Sequence, residues 1–302
     1  MRIVVSGASG FIGTALCGHL LKKGHNVVRL VRRQAAGSGE ARWDPAAGEL
    51  DESVLDGADA VVNLSGAGIG DKRWSKARVR ELFDSRLQAT TTLTTAMGRL
   101  ATPPGTFVSQ SASGYYGTSR RELLREDSGA GHGLLSRICV DWEAAAHTAP
   151  SGVRVVIPRT GVVLSPDGGA LGPLLPLLKL GLGGPLGNGR QYWPWITLAD
   201  EVSAFEFLLE SGLEGPVNVC APESADVNAI VTNLAAAFHR PAFFRVPAPA
   251  LRLVLGGQLA EELVLANQRM EPARLLDTGF EWQHPALAQA ARWVANGAQK
   301  AI

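Results

Sequence analysis

Short apolar runs recur along the first half of the chain, at residues 2–6, 27–31, 60–64, 107–109 and 153–157, with mixed segments at 75–97 and 136–147 between them. The runs read as strands and the mixed segments as helices. Glycines at 7, 10 and 13 follow the first run, then a helix-permissive stretch to Lys23, closed by Gly24, and then the second run. Strand, glycine turn, helix and strand form a βαβ unit, whose parallel strands need a crossover helix covering the sheet. The alternation predicts an α/β fold with a doubly wound parallel sheet of the Rossmann kind. Beyond Gly161 the pattern changes. Gly and Pro crowd residues 166–194, and short helical pieces follow at 229–238 and 251–265. The expected organisation is a dinucleotide-binding domain over 1–165 that also takes in 195–222. A smaller, mostly helical, substrate-side lobe comprises 166–194 and 223–302.

Composition narrows the partners. The chain has 302 residues, 46% hydrophobic and 19% charged, enough to bury a core and unlike a disordered chain. With 29 basic against 28 acidic residues it lacks the excess positive charge of a generic polyanion binder, so no nucleic-acid partner is expected. Cys17, Cys139 and Cys220 lie far apart, forming neither a CxxC pair nor a disulfide framework, which fits a reducing compartment. No export signal is evident, and the apolar stretch 171–182 is broken by Pro173, Pro176 and Lys179, short of a membrane span. The reading is a cytoplasmic protein with a small-molecule substrate and no membrane partner.

The most informative motif is Gly7-Ala8-Ser9-Gly10-Phe11-Ile12-Gly13, set directly after a strand and opening a helix. The first glycine permits a tight turn, the second lets a pyrophosphate approach the backbone, and the third allows close helix-to-strand packing, with the helix N-terminus facing the phosphates. An acidic residue at the end of the second strand would hold a ribose 2'-hydroxyl, whereas arginine accepts a 2'-phosphate. Arg32 and Arg33 occupy that position, and no Asp or Glu precedes Glu40. NADP(H) is the expected cofactor.

The glycine turn, Asn63-Leu64-Ser65-Gly66-Ala67, Arg73-Trp74, Ser85-Arg86, Tyr115-Tyr116-Gly117, Asp141-Trp142-Glu143, the run from Gly183 to Gln191 and Arg240-Pro241 together carry a resemblance. The chain resembles a sugar-nucleotide epimerase family of atypical extended short-chain dehydrogenases/reductases, which pair an epimerase/dehydratase-like N-terminal domain with a characteristic C-terminal one. The resemblance implies cofactor contacts from the glycine turn (Gly7, Ser9, Gly10, Phe11, Ile12, Gly13), Arg32, Leu64, Ser65, Glu81, Arg86 and Val163. It does not name a substrate. Residue chemistry agrees: Leu64 and Ser65 end a strand at the sheet's carboxyl edge, and Gly66 permits close approach. Arg86 could meet a phosphate or Glu81.

Catalysis is where the chain departs from the wider superfamily, whose Tyr-x-x-x-Lys pair lowers a tyrosine pKa so that the phenol can exchange protons near neutrality. The three tyrosines, 115, 116 and 192, are followed four residues later by Ser119, Arg120 and Ile196. Counting back from Glu143, the lysine position holds Cys139 and the tyrosine position Leu135. Ser111 is the candidate carbonyl-binding hydroxyl, and Tyr115 or Tyr116 the candidate acid, with packing as the other role for these rings. None of the six histidines has metal-ligand spacing, so no metal is expected. Arg190 could hold a diphosphate or carboxylate. Trp193 and Trp195 either stack on a substrate ring or wedge into a core. Two functions follow: an NADP(H)-dependent, epimerase-like oxidoreductase acting on a carbonyl or sugar-like small molecule, or a non-catalytic NADP(H)-binding sensor or scaffold.

Overall fold

The computed structural model describes residues 1–118, 122–170 and 172–300; Leu171, at the head of the apolar stretch, and Ser119 and Arg120 lie outside the described residues. In chain order the elements begin β1 (Arg2–Ser6), α1 (Phe11–Lys22), β2 (Asn26–Val31), β3 (Glu40–Asp44), β4 (Glu49–Leu50) and β5 (Ala60–Asn63). Then come α2 (Lys76–Gly98), β6 (Thr106–Ser109), β7 (Ser111–Ala112), α3 (Leu134–Ala146), β8 (Arg154–Thr160), β9 (Val162–Ser165), β10 (Gly168–Gly169) and α4 (Leu175–Lys179). The remainder is β11 (Tyr192–Trp193), β12 (Trp195–Thr197), α5 (Leu198–Glu210), β13 (Gly215–Val219), β14 (Ala225–Asp226), α6 (Val227–Ala237), α7 (Ala248–Leu255), α8 (Gly257–Leu259), α9 (Ala273–Asp277) and α10 (Leu287–Lys300).

The main sheet runs β13-β8-β6-β5-β1-β2-β3-β4, with β7 paired to β8. Its central pairs are parallel, β1 with both β2 and β5, β5 with β6, and β6 with β8, so the sheet is wound outward from β1 in both directions. This is the doubly wound α/β fold that the apolar runs predicted. The strands at residues 40–44 and 49–50 were not foreseen, because Glu40, Arg42 and Asp44 interrupt the apolar pattern at the sheet edge. Helix α2 begins where Ser75 accepts a hydrogen bond from the Arg78 N–H at 3.2 Å, the N-cap that fixes its start.

The chain divides into two compact units, 1–111 with 138–159 and 202–217, and 112–137 with 160–201 and 218–302. The first has a core of Val4, Val28, Val61, Leu93, Met97, Phe107 and Ile157, between the sheet and its helices. The second buries Leu164, Trp193, Trp195, Ile230, Leu234, Ala290 and Val294. Full burial of each large apolar side chain contributes about 1.5–3 kcal/mol. The division differs from the expected one: 112–137, 160–165, 195–201 and 218–222 pack with the second unit, which also carries short sheets and is not the smaller of the two. Long-range bonds explain this. Leu124 N–H donates to Arg269 O at 2.8 Å, and Glu271 N–H to Leu124 O at 2.9 Å, tying the 112–137 segment to residues far along the chain. No helix among the described residues is long and apolar enough to cross a membrane.

Candidate functional site

Strand order reverses between β1 and β5, where open α/β sheets bind ligands beyond the strands' carboxyl ends. Ser6 and Asn63 close these two strands opposite one another. Gly7 follows with φ +69°, and a Cβ there would lie 2.5 Å from the Leu64 carbonyl carbon, so a glycine is required for the turn to sit against Leu64 and Ser65. A Cβ on Gly13 would come within 2.2 Å of Gly7 O, which is the close packing of α1 onto the turn. Gly10 caps α1 in extended conformation with no side-chain cap, and the first turn of α1 carries no acidic residue. The helix therefore opens on the turn with backbone N–H groups available to an anion.

Asn63, which sequence reading quoted without a role, locks the floor of this site. Its Oδ1 accepts from Ser6 Oγ at 2.7 Å and from the Ser65 N–H at 3.1 Å. Its Nδ2 donates to Thr90 Oγ1 at 2.9 Å, which also accepts from Trp142 Nε1 at 3.0 Å. Both loops at the switch point thus hang from one buried amide. The loop beyond β5 is held as well: Ala67 N–H donates to Ser85 Oγ at 3.0 Å, Trp74 Nε1 to Ile69 O at 3.0 Å, and Arg78 to Gly68 O.

Arg86 lies against Gly66, where a Cβ would be 3.0 Å from its Cζ. It is only 8% exposed, donates to Leu82 O at 3.0 Å and stands 5.0 Å over the Trp142 ring. No carboxylate among the described residues pairs with it, and burial pulls its pKa down to about 10, with the Cys139 thiol acting weakly the other way. A buried cation without a counter-charge is costly and favours an incoming anion. Arg86 and the α1 N-terminus each offer donors of the kind that a dinucleotide's diphosphate takes. Glu81 is not the partner of Arg86: it takes a 2.7 Å ion pair from Arg78 on the same helix.

At the end of β2 the two arginines separate. Arg33 is committed, its guanidinium bidentate on Glu40 with both bonds at 2.7 Å, and this pair with the Ala36 N–H holds the Glu40 carboxyl down at about 2. Arg32 is exposed and makes no hydrogen bond or ion pair among the described residues. Of the two, Arg32 is the one available to a phosphate.

The catalytic candidates are engaged internally. Ser111 is fully buried in the first unit and donates to Glu143 Oε1 at 2.6 Å, while Arg159 donates to both Glu143 oxygens at 3.0 and 2.9 Å. Its proton is thereby spent on a carboxylate rather than offered to a carbonyl. Tyr116, buried in the second unit, places its hydroxyl 2.6 Å from Asn218 Oδ1 and 3.0 Å from Arg125 O, which is a packing role. Tyr115 is partly exposed and meets Tyr116 edge-on at 5.3 Å. Trp193 and Trp195 belong to the second unit's core, and Trp193 Nε1 donates to Val264 O at 3.1 Å, so both are wedges rather than stacking platforms. Arg190 is exposed, with its backbone N–H on Asn188 Oδ1, and Val163 is buried in β9 of the same unit. Folding also groups His25 with Glu206 and Glu210, three donor atoms within 4.8 Å of each other, which sequence spacing did not show because the carboxylates come far later in the chain. Glu206 meanwhile pairs with His19 at 2.6 Å.

In the second unit Glu201 is fully buried, accepts from Thr160 Oγ1 at 2.8 Å, has an unpartnered Oε2, and is pushed by burial up to about 8. The folded state therefore holds a proton that the unfolded chain releases near its ordinary value, and stability falls as pH rises from about 4.5 to 8. Glu201→Gln should remove that fall, worth on the order of 5 kcal/mol, as read by melting temperature across the range.

A model of the NAD dependent epimerase/dehydratase family matches residues 3–220. The chain belongs to this family. Residues 246–294 of this epimerase-family chain match a second model, a domain of unknown function, DUF1731. Epimerase family protein Mb2239 of Mycobacterium bovis is 42% identical over 290 residues, covering 95% of each chain. Human epimerase family protein SDR39U1 is 37% identical over 294 residues, 96% of this chain and 98% of its own. The crystal structure of human SDR39U1 (isoform 2) with NADPH superposes with a TM-score of 0.91 at 36% identity, covering 98% of this chain and 99% of that one. The Thermus thermophilus UDP-glucose 4-epimerase complex with NAD, at 18% identity and a TM-score of 0.75, shares the fold.

Proposed function

We propose that this epimerase-family chain binds NADP(H) and uses it for slow hydride exchange with a carbonyl or sugar-like small molecule. The observation that carries the cofactor assignment is the buried, carboxylate-free Arg86 against Gly66, beside a glycine turn that fits against Leu64 and Ser65. The NADPH in the human relative's structure supports the same choice. The α1 N-terminus with Ser9, Phe11 and Ile12 would take the diphosphate, and Arg32 the 2'-phosphate. Glu81 and Val163 are carried over from the family. Bound NADPH supplies the hydride. On the substrate side, partly exposed Tyr115 is carried from the sequence as the candidate proton donor and exposed Arg190 as the group for an anionic substituent.

Calorimetric titration tests the cofactor choice. Charge-assisted hydrogen bonds contribute about 1.5–3 kcal/mol each, so Arg32→Ala should erase a preference for NADPH over NADH of tenfold or more. Arg33→Ala, whose arginine is held by Glu40, should change it much less. Equal affinity of the unaltered protein for the two cofactors would overturn the assignment.

A second reading, an NADP(H)-binding sensor or scaffold, is favoured by one observation: the Ser111 and Tyr116 hydroxyls are both bound within the protein. A panel of carbonyl compounds with NADPH separates the readings. Slow NADPH oxidation that disappears in Tyr115→Phe supports hydride exchange. If no compound accelerates oxidation while NADPH still raises the melting temperature, the sensor reading replaces it.

A further inference from the structure

We propose that the second unit carries a peripheral docking surface for an anionic lipid bilayer, formed by α4, the loop after it and the segment that follows α6. Leu177, Leu180 and Leu182 are 42%, 71% and 48% exposed, and Phe243 and Phe244 are 82% and 57% exposed. These two segments are one surface. Phe244 N–H donates to Gly183 O at 3.2 Å, Val246 N–H to Pro185 O at 2.9 Å, and Gly187 N–H to Val246 O at 2.8 Å. Leaving five large apolar side chains open on one surface is costly in water and marks an interaction site.

Charge identifies the occupant. Residues 168–199 and 227–260 contain no Asp or Glu, yet they hold Lys179, Arg190, Arg240, Arg245 and Arg252, in a chain of 29 basic and 28 acidic residues. Arg252 pairs with Glu261 from beyond these stretches at 2.6 Å. Lys179, Arg240 and Arg245 meet carbonyls instead: Arg240 Nε on Lys179 O at 3.0 Å, Arg245 Nη2 on Asn188 O at 2.8 Å and Lys179 Nζ on Ala298 O at 3.1 Å. Those bonds tie Arg240 and Arg245 to the α4 end and the loop after it without neutralising them. Aromatic and leucine side chains beside Arg240 and Arg245, which pair with no carboxylate among the described residues, match the boundary between acyl chains and anionic headgroups. The sequence reading expected no membrane partner because it sought a spanning segment, and a surface of this kind has none.

Co-sedimentation of the full chain with vesicles tests this. Binding to phosphatidylcholine vesicles containing phosphatidylglycerol should exceed binding to phosphatidylcholine alone by about tenfold or more, and should weaken with added salt. Phe243→Ser with Phe244→Ser, and separately Arg240→Glu with Arg245→Glu, should each lose most of it. Phe243→Ser alone, at the most exposed position, serves as the check least able to disturb folding, with circular dichroism confirming the fold. Failure to sediment with either vesicle, or equal binding to both, would overturn the proposal. So would light scattering that shows a dimer dissociated by Phe243→Ser, which would assign the surface to a second copy.

Discussion

Arg86→Met should lower NADPH affinity at least a hundredfold while the protein without cofactor stays as stable as before or gains stability. Methionine keeps an unbranched apolar stem over Trp142 and removes the guanidinium. Two charge-assisted hydrogen bonds to phosphate, at about 1.5–3 kcal/mol each, account for a hundredfold loss or more. The cofactor-free protein responds differently because Arg86 is a buried cation with no carboxylate beside it, and its one bond to Leu82 O offsets little of the desolvation. Arg86→Lys should fall between, since an ammonium keeps the charge but not the planar fork. Calorimetry and thermal melts on the same preparations give both halves. Unchanged NADPH affinity in a folded Arg86→Met protein would place the phosphates elsewhere.

The parts of this molecule that could be read from sequence are those set by neighbours along the chain. Residues 2–6 and the glycines at 7, 10 and 13 declare strand, turn and helix because each requirement, an apolar run or a missing Cβ, lies within a few positions. The first helix is found at Phe11–Lys22 and the second strand at Asn26–Val31, close to the expected bounds. Helix α10 was harder to read: Leu287, Ala290, Ala291, Val294, Ala295 and Ala298 are buried at helical spacing, but alanines give a weak apolar stripe. Side-chain partners were another matter. Nothing local tells that Arg33 meets Glu40 while Arg32 does not, or that Glu81 is taken by Arg78 rather than Arg86. The loss of a proton donor at Ser111 was hidden for the same reason, since Glu143 and Arg159 reach it only through the fold.

That buried trio leads to the second large effect. Glu143→Ala should cost about 3–5 kcal/mol of stability, because it removes the carboxylate that takes two hydrogen bonds from Arg159, which is 3% exposed. Ser111→Ala removes one hydrogen bond to a charged group and should cost about 1.5–3 kcal/mol. Replacing both charges, in Glu143→Leu with Arg159→Met, should recover most of the first loss, since a buried pair exchanged for apolar side chains is often neutral. Urea unfolding midpoints order the variants. The series also decides what Ser111 is for. A hydroxyl that only braces Glu143 should leave NADPH oxidation per folded molecule nearly unchanged when removed. If Ser111→Ala instead abolishes oxidation at unchanged NADPH affinity, while Glu143→Gln retains it, the serine turns its proton to substrate during turnover and the bond to Glu143 is its resting position.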